Sequence, residues 1–87
     1  MAVVIVPSLL RALCDGVAKH TVPGGALRDV LLAVDAECPG FFARVVEAGQ
    51  VRPELALALN GEVLSLALHD VIGANAEIAI VPAIGGG

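Results

Sequence analysis

Aromatic side chains are almost missing from this chain: Trp and Tyr are absent, and Phe41 and Phe42 are the only two rings in 87 residues. Stacking platforms for nucleic-acid bases are therefore not available. Positive charge is scarce as well. Nine acidic residues face five basic ones, and Arg11, Lys19, Arg28, Arg44 and Arg52 are scattered singly. Such a balance repels phosphate backbones and disfavours nucleic-acid binding. No apolar run reaches membrane length; the opening stretch, residues 2–10, lacks a basic segment before it and contains Pro7, so it reads as a strand rather than a signal peptide. With no export signal the expected compartment is the cytoplasm. The two cysteines, Cys14 and Cys38, have no CxxC spacing and are expected there to be reduced thiols, buried or half-buried. His20 and His69 have no ligand-spaced partners and are read as surface or strand-end histidines, so no metal site is assigned. A Ser/His/Asp arrangement, a paired carboxylate motif and a phosphate-binding GxxxxGK[ST] are all lacking. A free-standing enzyme is the weakest class.

What the chain has in quantity is Leu, Val, Ile and Ala, with 57% of residues hydrophobic, enough to build one core in a single domain spanning residues 1–87. So small a domain leaves little surface for a deep pocket of its own. Residues 2–6 form a β-branched run ended by Pro7 and Ser8, and residues 17–22 are a second strand candidate. Between them, residues 9–16 are long for a tight hairpin and have room for a turn of helix, with Asp15-Gly16 as a turn signal. After Pro23-Gly24-Gly25, the apolar residues Leu27, Val30, Leu31 and Val34 recur at i, i+3, i+4 and i+7. They predict an amphipathic helix ending before Pro39-Gly40, with Arg28, Asp29, Asp35 and Glu37 on its other side. A shorter helical signal covers residues 41–48, followed by an irregular exit through residues 49–53. Leu55, Leu57 and Leu59 alternate with alanines, Asn60-Gly61 supplies a hairpin turn before residues 62–64, and Glu77–Pro82 makes the last strand, with Ile78 and Ile80 inward and Val81 outward. The order describes an α+β fold, one main helix laid across a sheet.

Behind that last strand the sequence ends in Gly85, Gly86 and Gly87. Glycine loses the most backbone entropy on folding, so three in a row build no element, but they make a thin probe that can thread a narrow tunnel and present an unhindered carboxylate. A carboxylate attacks ATP poorly unless a second protein holds it in line and supplies the electrostatics.

The element order, Asn60-Gly61-Glu62, and the ending Ile-Val-Pro-Ala-Ile-Gly-Gly-Gly resemble the MoaD/ThiS family of ubiquitin-like sulfur carriers over essentially the whole chain. Pro7-Ser8-Leu9-Leu10-Arg11 and the length favour the MoaD-like and CysO-like branch. The resemblance implies a β-grasp (ubiquitin-like) mixed sheet and a flexible tail over residues 83–87. It implies that the Gly87 carboxylate is adenylated and converted to a thiocarboxylate, with Gly86 and Gly85 recognised as a slender tail and Val81, Val63, Pro7 and Arg11 docking the partner. The implied partners are an adenylating enzyme of the ubiquitin-activating, MoeB/ThiF type and a downstream sulfur-accepting synthase of the MoaE or cysteine synthase type. ATP is used by the adenylating enzyme, and no cofactor is bound by the chain itself. Molybdenum cofactor biosynthesis and cysteine biosynthesis are both open as destinations. A protein modifier conjugated through Gly87 is the alternative; Lys19, the sole lysine, speaks mildly for the carrier. Three features depart from the family pattern. Gly73-Ala74-Asn75-Ala76-Glu77 replaces an Asp-Gly-Asp-Glu turn, Gly24 or Gly25 stands where Ser or Thr caps the helix, and Gly85 precedes the final pair.

Overall fold

The computed structural model describes residues 1–83. Its frame is a five-stranded mixed sheet made by β1 (Ala2–Ile5), β2 (Lys19–Val22), β6 (Leu55–Leu59), β7 (Glu62–Leu64) and β9 (Glu77–Pro82), in the order β2-β1-β9-β6-β7. β1 and β9 run parallel at the centre, and the remaining pairs are antiparallel. Helix α1 (Leu27–Glu37) packs across one face, burying Leu27, Val30, Leu31 and Val34, the four positions its periodicity selects. They meet Val4, Leu57, Ile78 and Ile80 from the sheet and Phe41 from α2 (Phe41–Val45) in one apolar core. This is the β-grasp fold. Among the described residues, no helix is long and apolar enough to cross a membrane.

Local chemistry sets the boundaries. Asn60 and Gly61 both take positive φ, 50° and 87°, which turns β6 into β7 in the sense that matches strand twist. The segment after β1 is a 3-10 helix over Ser8–Cys14. Helix α1 has no side-chain cap. Instead its first free N–H groups are taken by a neighbouring loop, Leu27 donating to the Asp70 carbonyl at 2.8 Å and Arg28 to the Leu68 carbonyl at 2.9 Å. The glycine before the helix is required for another reason. A Cβ on Gly24 would lie 2.8 Å from the Ile72 carbonyl oxygen and 3.1 Å from Ala74, so the strand pair β3 (Gly25–Ala26) and β8 (Val71–Ile72) can close only on a glycine.

Four expectations need correction. The second helix stops at Val45 rather than running through 48, because Val46–Glu47 (β4) pairs with Gln50–Val51 (β5) across an Ala48-Gly49 turn with both residues at positive φ. The exit through residues 49–53 is thus partly a strand. His20 is not a surface residue: it points inward from β2 and is 7% exposed. Cys14 and Cys38 are not free thiols, because the end of the 3-10 segment meets the end of α1 with the two Cα atoms 4.5 Å apart and the sulfurs joined in a disulfide.

Candidate functional site

Strand β9 carries the chain outward to the tail, and its pleat decides what lies beside the exit. Ile78 and Ile80 are buried, whereas Ala79 and Val81 look to the face opposite α1 and are half-buried. Register gives that face its composition. Lys19, Ile5, Ala79, Ala58 and Val63 align in one row across all five strands, and Ala56 stands opposite Val81. Opposed residues share a face, so Val63 and Val81 belong to one smooth apolar surface floored by alanines. Val63 is 65% exposed, on the edge strand.

Pro7 and Arg11 sit elsewhere. Pro7 lines a groove of about 370 Å³ with Leu9, Leu10, Leu55 and Pro82, whose polar rim is Arg44, Arg52 and Glu54. Leu9 projects from this wall at 84% exposed. Arg11 is half-buried and its Nε–H donates to the Val6 carbonyl at 3.0 Å, a bond that braces the 3-10 segment against the end of β1. The four nominated docking residues therefore divide: Val63 and Val81 share the outer sheet face, Pro7 belongs to the groove, and Arg11 holds the scaffold behind it.

Groove and face meet at the point of exit. Pro82 lines the groove while its neighbour Val81 lies on the face, and the Ala83 N–H donates to the Glu54 carbonyl at 2.9 Å, carrying the β6–β9 pairing one residue further. Gly85, Gly86 and Gly87 lie outside the described residues. Leu9, Leu55, Arg44, Arg52 and Pro82 were not nominated from the sequence, because nothing in their local spacing says that the 3-10 segment, α2 and the start of β6 converge. Arg52 is held there by the Ala43 carbonyl at 3.1 Å and by Glu47 and Glu54 at 3.6 and 3.8 Å.

The ThiS family model matches residues 12–87, nearly the whole chain. The chain belongs to the ThiS family. Solved structures agree on the fold. A chain of the Amycolatopsis orientalis BexX/CysO complex is 22% identical, with full coverage of both chains and a TM-score of 0.87. Mycobacterium tuberculosis CysO is 22% identical with a TM-score of 0.87, over 97% of this chain and 100% of that one. SAMP1 from Haloferax volcanii is 22% identical with a TM-score of 0.70, over 99% of this chain and 98% of its own. No curated protein matches. As a ThiS-family member of the MoaD/ThiS group, the protein is a small ubiquitin-like sulfur carrier rather than an enzyme.

Proposed function

We propose that this carrier holds its sulfur as a thiocarboxylate on Gly87. The Gly87 carboxylate attacks the α-phosphate of ATP in an adenylating enzyme of the MoeB/ThiF type, pyrophosphate leaves, and a sulfur donor displaces AMP from the acyl-adenylate. The observation that carries this reading is the family match running through the triple glycine, placed directly behind a strand whose outer side is apolar. Gly86 and Gly85 keep the probe thin enough for a channel that a methyl group would obstruct. The surface of Val81 and Val63 supplies the apolar contact that docks the adenylating partner, and the groove of Pro7, Leu9 and Pro82 flanks it at the tail exit.

For the downstream acceptor we favour a cysteine-forming synthase over a molybdopterin synthase large subunit, since the CysO structures match over nearly all of both chains. The cytoplasm, where ATP and such partners meet, is the compartment this chemistry requires. A modifier joined to other proteins through Gly87 uses the same activation step, and the likeness to SAMP1 favours keeping it as the second reading.

The test is ATP–pyrophosphate exchange by the adenylating enzyme with the chain as co-substrate. Full-length chain should support exchange. A chain lacking Gly87 should not, even at saturating concentration, because its carboxylate is withdrawn by the roughly 3.5 Å reach of one extended residue. Equal exchange with the shortened chain would remove the carboxylate from the mechanism.

A further inference from the structure

One cluster lies apart from the outer sheet face and from the groove. The Cys14–Cys38 disulfide is buried, with Cys14 4% and Cys38 0% exposed, and the Cys38 Sγ stands 3.7 Å from His20 Nε2. His20 is the one buried ionisable side chain among the described residues. Each of its ring nitrogens faces an acceptor: Nδ1 meets the Glu37 Oε1 at 2.7 Å and Nε2 meets the Val17 carbonyl at 3.0 Å. Partners at both nitrogens fix the plane of the ring. The ring is thus held with a carboxylate behind it and a sulfur in front, so a fixed polar group borders the sulfur that carries charge when the disulfide opens.

We propose that Cys14 and Cys38 form a redox-active dithiol–disulfide site, with His20 and Glu37 handling the charge on the Cys38 sulfur. Its co-reactant is a small dithiol. Cys14 is followed by the exposed turn Asp15-Gly16-Val17, so it is the sulfur an outside thiolate reaches first. That thiolate bonds to Cys14 Sγ, the Cys14–Cys38 bond breaks, and its electron pair leaves on Cys38 as a thiolate facing the His20 ring. The second thiol of the reductant, deprotonated, then attacks the reductant's own sulfur in the mixed disulfide and displaces the Cys14 thiolate, which takes a proton from water. Two electrons pass to the protein, and the reductant closes to a cyclic disulfide. Stabilising the departing Cys38 thiolate speeds the first step, because a better leaving thiolate is displaced faster. Glu37 enters through His20, as a positioning residue. None of this draws on the carrier reading, since the tail takes no part in it.

The full chain, oxidised with glutathione disulfide, is mixed with excess dithiothreitol, and samples are quenched with iodoacetamide for intact mass. The expected result is a chain two hydrogens lighter after oxidation that regains both thiols as one population, with no unfolding by circular dichroism. Glu37→Gln, at an exposed carboxylate, and His20→Gln should each slow reduction about tenfold. The direction separates chemistry from packing: a purely structural His20–Glu37 contact, once lost, would loosen the site and accelerate reduction. Unchanged or faster reduction in Glu37→Gln overturns the proposal. So does a chain whose thiols do not oxidise with glutathione disulfide. Cys14, His20 and Cys38 also place their donor atoms within 4.8 Å of one another. Purification with one equivalent of zinc that shields both thiols from iodoacetamide would make this a metal site and equally overturn the redox assignment.

Discussion

Gly24 and Val81 show how much a single residue decides here. At Gly24 the constraint is backbone against backbone, the nearest atoms being the Ile72 carbonyl and the Ala74 main chain rather than a side chain that could swing away. Gly24→Ala should therefore destabilise the fold by about 1–3 kcal/mol, the range for forcing extra volume into a packed contact. Urea denaturation followed by circular dichroism measures it. At Val81 the proposed docking sets the constraint, on the partner's side. The residue is half-exposed on the outer face, opposite Ala56, so Val81→Asp should fold normally. Docking would then bury an unpaired charge, weakening association with the adenylating enzyme by roughly 1–3 kcal/mol, about five- to 150-fold. Titration of the enzyme should show the variant's pyrophosphate exchange recovering at saturation. If Val81→Asp unfolds instead, that side chain is needed by the core and the strand register is wrong.

Among the elements, the disulfide ties the 3-10 segment, which forms one wall of the groove, to the end of α1. It closes a loop of sequence separation 24, and in the chain-entropy model such a closure contributes about 3.5 kcal/mol. Replacing Cys14 and Cys38 together by Ser should cost about 2–4 kcal/mol, read as a lowered denaturant midpoint, while sulfur transfer through the tail continues. Loss of transfer in a folded double variant would move the sulfur onto a cysteine.

The same elements mark what a sequence can disclose. Helix α1, the Asn60-Gly61 turn and the alternation of β9 were legible because each is written in local periodicity or in a residue's own conformational preference. The two-residue strands β3, β4, β5 and β8 are too short to have a period, and the turn between β4 and β5 places Ala48 at positive φ, where alanine gives no warning. The cysteine pair was hidden by its separation along the chain. His20 was not hidden: alternation with Val22 along β2 already turned it inward, between the exposed Lys19 and Thr21. On the outer sheet face proposed for docking, Val81 was legible from its strand and Val63 came with the family likeness. The groove was not, since it is assembled from four separate elements.

For the whole molecule, one sheet serves two purposes. Its inner side closes the core against α1, and its outer side, low in relief because Ala56, Ala58 and Ala79 floor it, stays open beside the last strand. A domain of this size has no room to surround a reactive phosphate. It can instead present a carboxylate to a partner, using a rigid body for docking and the chain beyond β9 for delivery. Under the proposed function this division of labour can be read from the intact mass of the full chain after incubation with the cognate adenylating enzyme, ATP and a sulfide source. The mass should rise by the difference between one sulfur and one oxygen, with fragmentation placing the change at Gly87. An unchanged mass, under conditions that activate a known carrier, or a sulfur found on Cys14 or Cys38 instead, would contradict it.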